Sequence, residues 1–449
     1  MWCVSRGVGS LRSLLSISGY PGIAGSRIGG GCGGGASRAA SVWSFGDNSN
    51  GALGLPAPLA DAYEPSRVPL VPSDVTSVAA GHYHSLAVTA AGDVWAWGRN
   101  EEGQLGRHAA APRTLWNQPE KVNGLDHVKV EVAFASGVIS AAIDADGSLW
   151  VWGRSKRGQL GLGNGVIEAS KPSKVEALAG HQIAKVSFGW GHALALTKDG
   201  KLFGWGYAEA GRLGQMGQKL DIPWTPPLKF DNSLESSSPI LELVDKLVAE
   251  KIERENNMPI IWEPCQVLEV CGSTVSDVAC GLDHSLVLCS NGSILSGGDN
   301  VYGQLGRSTD RSVMLPVSLN THPLSISAGL GHSLVLCQIP SEDREGDTAV
   351  LSWGWNGSHQ LGRQGPEDNP GIVEALIGQK PISVSAGRVH SIALTSMKEL
   401  WTWGSGRNGR LGLGSSLDEM EPALVESLVG LEILQAVAGF DHNLVLVSE

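Results

Sequence analysis

Histidine is the residue with catalytic potential that recurs most regularly in this sequence. Six histidines each stand three residues after a glycine in a repeated segment: His84, His192, His284, His332, His390 and His442. Histidine can serve as a general base or a metal ligand near neutral pH, but a shared site would require the side chains to converge. Equivalent residues of structural repeats lie in separate units. We therefore predict structural histidines that bond to nearby backbone, and neither a catalytic nor a metal site.

The cysteines and the glycines do not form a recognisable catalytic or cofactor motif. Seven cysteines stand at 3, 32, 265, 271, 280, 289 and 337 without a Cys-x-x-Cys pair, which favours free or buried thiols over zinc or disulfides. The sequence contains no P-loop, nucleophile elbow, His-Glu-x-x-His or dinucleotide-binding motif. We expect a protein that is not an enzyme and has no cofactor.

Basic residues in two loops are the best candidates for contacts with a partner. The run Gly153-Arg154-Ser155-Lys156-Arg157 is the most basic, and Arg407 and Arg410 occupy an equivalent loop. Such residues can meet phosphates or an acidic protein, and a solvated surface is the alternative. Outside its first 40 residues the chain has 29 basic and 45 acidic residues, a net charge of about −16, which argues against non-specific nucleic-acid binding by the whole surface.

The first 40 residues differ from the rest of the chain. Residues 1–40 contain four arginines and many serines but no Asp, Glu or Lys, a composition typical of an organelle transit peptide. Because arginine dominates, we expect a mitochondrial location, with the chloroplast as the alternative. The sequence has no run of 18 apolar residues, so we expect no transmembrane helix.

Two short sequence segments recur seven times each and indicate the strands that position these residues. The first ends in Gly-x-Leu-Gly or a close variant, as in VWAWGRNEEGQLG (94–106) and LWTWGSGRNGRLG (400–412). The second includes VAAGHYHSLAV (78–88) and ISAGLGHSLVL (326–336). Asp-Gly or Asn-Gly joins the second segment to the first in three copies, as in β-hairpins. A period near 53 residues with several strands per unit indicates propeller blades, and the repeat tryptophans are predicted to pack between blades.

The order of the two segments also predicts how the ring closes. Residue 42 begins on the second strand of a hairpin, and residues 442–447 form a first strand. Pairing of these strands would complete the seventh blade and leave no open sheet edge. The fold class is therefore all-β, a seven-bladed propeller over 41–449 in which N- and C-terminal strands share one blade.

One interval between repeats is about 39 residues longer than the period and predicts a helical insertion at 215–277. Ser238 and Pro239 can begin a helix over about 239–256, and Ile240, Val244 and Leu247 lie on its apolar stripe. The helix could pack on its own propeller or dock a partner.

The motifs G-x-x-H-S and W-G-x-x-x-x-G-Q-L-G recur as a pair over about 42–447. By these motifs the chain resembles the regulator-of-chromosome-condensation family of seven-bladed propellers. Ser136 and Ile139 depart from the first motif, and Gly297 replaces the usual Trp. In layout the chain is similar to plant mitochondrial members, and the resemblance implies a non-enzymatic scaffold for transcript splicing and respiratory complex biogenesis. Its partners would be RNA-processing factors, with RNA bound indirectly. The alternative, as in the family's founding member, is a guanine-nucleotide exchange factor for a small GTPase.

Overall fold

The fold is a ring of seven four-stranded antiparallel sheets, as predicted. The computed structural model describes residues 39–449 apart from 59, 108–111, 217–257, 269, 271, 309–312 and 340–346. Consecutive strands pair in each sheet except the one that closes the ring. The described residues form no α-helix, only short 3-10 turns such as Glu176–Leu178 and Glu426–Leu428.

We number the blades from the first complete one. Blade 1 contains β3 (Val75–Ala80), β4 (His84–Thr89), β5 (Val94–Gly98) and β6 (Glu120–Lys121). Blade 2 contains β7 (Val130–Ser136), β8 (Ile139–Asp144), β9 (Leu149–Arg154) and β10 (Glu168–Lys174). Blade 3 contains β11 (Ile183–Phe188), β12 (His192–Thr197), β13 (Leu202–Tyr207) and β14 (Ile260–Gln266). Blade 4 contains β15 (Val275–Cys280), β16 (His284–Cys289), β17 (Ile294–Gly298) and β18 (Leu315–Val317).

The other three blades have the same plan. Blade 5 contains β19 (His322–Ala328), β20 (His332–Gln338), β21 (Thr348–Gly354) and β22 (Gly371–Ile372). Blade 6 contains β23 (Pro381–Ala386), β24 (His390–Thr395), β25 (Leu400–Gly404) and β26 (Glu419–Leu424). Blade 7 combines β27 (Ile433–Ala438) and β28 (His442–Ser448) with β1 (Ala40–Gly46) and β2 (Ala62–Arg67).

The predicted closure of the ring is confirmed in blade 7. Strands β1 and β28 pair in register from Ala40 opposite Ser448 to Gly46 opposite His442. This pairing joins residues about 400 positions apart in sequence, so the two middle strands of the blade, β1 and β28, each pair with a strand on both sides.

The loops divide the ring into two faces. The loop face carries the G-x-x-H loops between first and second strands and the long loops between third and fourth strands. The hairpin face carries the tight turns between second and third strands and the connections between blades. At the turn with Gly147 the φ angle is +80°, and the amide of Gly147 donates to the Asp144 carbonyl at 2.9 Å. A positive φ at this position favours glycine, as the Asp-Gly signal predicts.

The hydrophobic core lies mainly between neighbouring blades. One cluster joins Trp152 of blade 2 to Leu105 and Val122, which follow strands of blade 1. Another joins Trp403 of blade 6 to Leu336 and Val350 of blade 5. Each blade therefore buries its apolar faces only when its neighbours are present, which is the usual source of cooperation in repeat proteins.

The expected insertion is smaller than 215–277. Residues Ile260–Gln266 form β14 and pair with β13, so they are the outer strand of blade 3, and β15 of blade 4 begins at Val275. These residues belong to the propeller because β13 otherwise has no fourth strand beside it. The expected helix at 239–256 lies outside the described residues. No helix of the described part is long and apolar enough to cross a membrane.

Candidate protein-binding face

The six repeat histidines are spread around the ring and join neighbouring blades. Each is buried, and its Nε2 lies within hydrogen-bond distance of a side chain in the next blade. The pairs are His84 with Ser140 (2.8 Å), His192 with Ser285 (2.8 Å), His284 with Ser333 (3.1 Å), His332 with Ser391 (3.0 Å), His390 with Asn443 (2.9 Å) and His442 with Ser85 (2.9 Å). The role is structural, as predicted, but these contacts are to side chains rather than to the expected backbone.

The geometry also determines the tautomer and charge of these histidines. The Ser391 hydroxyl donates to the Gln360 carbonyl at 2.8 Å, so the hydroxyl oxygen must accept from the Nε2–H of His332. The other ring nitrogen, Nδ1 of His332, has no hydrogen-bond partner. Protonation would bury an unpaired N–H and a charge, and burial accordingly lowers the pKa of His332 to about 3. His332 is therefore uncharged at neutral pH.

The glycine three residues before each histidine makes room for the ring. A Cβ atom added to Gly281 would lie 2.1 Å from Cε1 of His284, and one added to Gly387 would lie 2.2 Å from Cε1 of His390. These distances are far shorter than a van der Waals contact, so glycine is required by close packing at these positions.

The interface between blades 2 and 3 departs from this arrangement at three linked positions. Ile139 replaces the histidine, and Ser136 replaces the glycine that a histidine would need. In blade 3, Ala193 stands where the other blades have a serine or asparagine partner. The histidine donor, the glycine that makes room for it and the side chain that accepts from it are thus all absent at this interface. Their joint absence leaves no histidine N–H without an acceptor there.

Buried tryptophans form a second set of bonds between blades. Five indole Nε1–H groups donate to a carbonyl in the long loop of the preceding blade: Trp97 to Ala52 (2.9 Å), Trp152 to Gln104 (2.9 Å), Trp205 to Gln159 (2.7 Å), Trp353 to Gln304 (2.9 Å) and Trp403 to Gln360 (2.9 Å). Their predicted packing between blades is confirmed. At Gly297, which replaces this tryptophan, a Cβ would lie 2.5 Å from the Gly211 carbonyl oxygen, so the preceding loop occupies that space.

The basic run of blade 2 lies at the surface of the loop face. Arg154 and Lys156 are exposed and have no ion-pair partner among the described residues. Arg157 is half-buried, with its guanidinium carbon 5.0 Å from the ring centre of Trp190 and 5.7 Å from that of Tyr207. Cation–π contact orients this arginine, while the first two cations remain available to a partner.

The other candidate residues are placed differently. Arg407 is exposed in the long loop of blade 6, so blades 7 and 1 separate it from the basic run. Arg410, which we expected at a partner-binding surface, is only 1% exposed and forms an ion pair with Asp441 at 3.0 Å. Burial of this pair removes its guanidinium from the surface. Ile240, Val244 and Leu247 lie outside the described residues.

An aromatic row that the sequence did not predict lies on the loop face. The rings of Phe440 and His82 stack at 4.0 Å between centroids, and His82 and Trp190 follow at 5.7 Å. Arg388 lies 4.8 Å over Phe440, at the opposite end from Arg157. Phe440, His82 and Trp190 occupy the first variable position of the G-x-x-H motif. The regular residues of the repeat pack between blades, so the variable ones were the signal for this surface.

Gly137 of blade 2 occupies the same variable position but adds no ring to the row and leaves a gap where a side chain would stand. No atom lies within 4 Å of a Cβ built on Gly137, which has a φ of +39°. The gap opens on a cavity of about 530 Å³ whose lining includes Val138, Lys156 and Tyr207. This volume is in the range of pockets that bind small molecules or peptide side chains. No group of three His, Cys, Asp or Glu side chains in the described ranges is arranged to hold a metal.

These blades and their linking histidines define an RCC1-like propeller. The chain belongs to the RCC1-like domain family, whose match covers residues 41–445. It is 28% identical over 357 residues to the "Ultraviolet-B receptor UVR8" of Arabidopsis thaliana, covering 79% of this chain and 70% of that protein. It is 28% identical over 422 residues to "RCC1 domain-containing protein RUG3, mitochondrial" of the same plant, covering 91% and 72%. The match covers 66% of "Protein RCC2" of Homo sapiens and 6% of "E3 ubiquitin-protein ligase HERC2" of Mus musculus.

A solved structure has the same fold. The Saccharomyces cerevisiae protein Prp20p superposes with a TM-score of 0.72 at 23% identity, over 92% of each chain. Prp20p is described as binding Gsp1p and histones.

Proposed function

We propose that this chain is a non-enzymatic mitochondrial scaffold that supports RNA processing, including transcript splicing, and respiratory complex biogenesis by binding protein partners. The observation that carries the proposal is that the regular residues of the repeat hold the blades together, while the variable residues lie on the loop face. The histidines bond neighbouring blades, whereas exposed cations and aromatic rings vary from blade to blade on the loop face. A rigid ring with a variable loop face is suited to recognition.

Two observations support the mitochondrial part of the proposal. The mitochondrial relative matches 91% of this chain, and residues 1–40 have an arginine-rich composition without acidic residues. The RNA-processing part rests on the resemblance to plant mitochondrial members of the family. The excess of acidic over basic residues supports protein partners rather than direct binding of a polyanion.

Affinity capture from mitochondria tests the proposal. The tagged full-length protein and a form without residues 223–257 are recovered from mitochondrial extracts, with and without ribonuclease, and the bound proteins are identified by mass spectrometry. We expect RNA-processing proteins that remain bound after ribonuclease treatment. If the deletion alone removes them, the insertion is a docking segment.

The same experiment separates the scaffold from a guanine-nucleotide exchange factor. An exchange factor binds its GTPase most tightly when nucleotide is absent, so EDTA-treated extracts would yield a small GTPase as the main partner. The recovered GTPase is then tested for faster release of a fluorescent guanine nucleotide in the presence of this protein. If both results are positive, the exchange-factor function replaces the scaffold proposal. Loss of all RNA-processing proteins on ribonuclease treatment would contradict binding through protein partners.

A further inference from the structure

We infer that the cavity beside Gly137 binds a short acidic segment of a protein partner, in which a carboxylate side chain is next to an apolar or aromatic one. This inference rests on the proposed scaffold function and identifies the part of the loop face that performs it. Blade 2 is the blade whose G-x-x-H motif is replaced, by Ser136-Gly137-Val138-Ile139.

The opening of the cavity arises from the residue in the first variable position. Six blades carry a side chain at this position: His82, Trp190, Leu282, Leu330, Arg388 and Phe440. Blade 2 has Gly137 there, which has none. The rings of His82 and Trp190 lie 5.7 Å apart between centroids across this blade, and both residues line the cavity beside Gly137. Trp190 is 40% exposed, so an entering side chain can pack on its indole. Exposed tryptophan beside arginine is a frequent composition of protein-binding hot spots.

The charge of the cavity favours an acidic ligand. Arg154 and Lys156 line it and have no ion-pair partner among the described residues. Glu102 is the one carboxylate among the described lining residues, and Arg99 already neutralises it at 2.6 Å. A ligand carboxylate would therefore meet two available cations and form charge-assisted hydrogen bonds.

The surroundings favour a peptide over an RNA strand. Binding along a nucleic-acid backbone requires a continuous positive groove, whereas Glu102 lines this cavity and Glu168 lies opposite Arg154 on the neighbouring strand. The cavity also has an apolar part formed by Val138, Tyr207 and Ile260. The exposed cations Arg154 and Lys156, with half-buried Arg157 in the same lining, lie beside this apolar part. Such a site matches one acidic side chain with one apolar neighbour, because electrostatic complementarity then covers only the cationic part.

Selection from a peptide library tests the inference. A displayed library of random twelve-residue peptides is selected on the purified full-length protein, and the most enriched peptide is synthesised with a fluorescein label. Its dissociation constant is measured by anisotropy, beside a peptide in which each acid is replaced by its amide and beside a single-stranded oligo(U) of ten nucleotides. We expect an Asp or Glu next to an apolar residue in the enriched set, and at least tenfold weaker binding of the amide peptide.

Two pairs of variants locate the binding site. R154E/K156E reverses the two cations, and its control K129E/K198E makes the same charge change at exposed residues of the hairpin face. G137N places a side chain in the gap, since Asn tolerates positive φ. Its control is G180N, at an exposed glycine on the hairpin face with a φ of +85° and no atom within 4 Å of a built Cβ. We expect R154E/K156E and G137N to weaken binding at least tenfold and the controls to change it less than twofold.

The inference is overturned if no peptide is enriched, or if the enriched peptides contain no acid. It is also overturned if the cavity variants bind the peptide as well as their controls do. A third contradiction is that oligo(U) binds more tightly than the peptide and that R154E/K156E abolishes this oligo(U) binding. Failure here is distinct from failure of the proposed function. If mitochondrial capture recovers RNA-processing proteins equally with wild type and R154E/K156E, the scaffold stands and the cavity is not its binding site. If the peptide binds the cavity but capture recovers none, the scaffold falls and the cavity remains a peptide site.

Discussion

The bonds between blades lead to a prediction for Ser391 whose size follows from its contacts. The Ser391 hydroxyl accepts from His332 at 3.0 Å and donates to the Gln360 carbonyl at 2.8 Å. In S391A that carbonyl keeps the Trp403 indole donor at 2.9 Å, but the Nε2–H of His332 loses its partner inside a fully buried interface. A stranded buried polar group costs about 1–3 kcal/mol. We therefore expect S391A to lower the free energy of unfolding by about 2 kcal/mol.

A double-mutant cycle in urea tests the cause of this loss. H332I removes the imidazole and imitates the natural pair of Ile139 with Ala193. In the H332I background S391A should cost only about 0.5–1 kcal/mol, because no imidazole is left without a partner and only the bond to Gln360 is lost. The control S44A removes a buried hydroxyl that donates to the Leu53 carbonyl at 2.7 Å in another blade, and its cost should be the same in both backgrounds. Equal costs of S391A with and without His332 would refute the reasoning.

Three further predictions concern the same ring. The pKa values of His84, His284 and His390 are lowered by burial to about 3, so the unfolded chain binds more protons between pH 6.5 and 3 and stability should fall as pH decreases through this window. H332I should reduce that slope by on the order of 1 kcal/mol per pH unit in urea titrations between pH 7.5 and 5. W353F should lower stability by about 2 kcal/mol, because the bond to Gln304 is lost and the smaller ring leaves a cavity at a fully buried position. W355F, at a half-buried loop residue, should change it by less than about 0.5 kcal/mol, and equal effects of the two variants in thermal melts would contradict this reasoning. D441A should cost about 3 kcal/mol in urea unfolding because it leaves Arg410 buried without its carboxylate, and an effect as small as that of R154A would contradict this.

The fold was predictable because its signals are repeated. Each blade supplies the same hairpin pattern, and the incomplete blades at the two ends predict the pairing of β1 with β28, which the register from Ala40 to Gly46 confirms. Strand β14 is not predicted because a long interval precedes it, so the repeat spacing places 260–266 in the insertion. A signal was present: Pro264 follows Glu263 in β14 just as Pro65 follows Glu64 in β2, and proline is tolerated in outer strands.

The site was less predictable because it depends on contacts between different repeats. Comparison of equivalent positions identifies His332 as a repeated residue but does not show that Ser391 of the next blade is its partner. Arg407 and Arg410 stand in one loop. Only the fold shows that Arg410 is buried in an ion pair with Asp441 of the neighbouring blade, while Arg407 is exposed. The row of Phe440, His82 and Trp190 likewise combines residues from three repeats.

Site-specific photo-crosslinking in mitochondria tests the central claim most directly. A photoreactive amino acid is introduced in place of Lys156 on the loop face and, in a second protein, in place of Lys198 on the hairpin face. The account predicts that RNA-processing proteins crosslink from position 156, that ribonuclease does not remove these products, and that position 198 yields few of them. Crosslinks from position 198 alone, or a small GTPase as the main product at position 156 in the presence of EDTA, would contradict it.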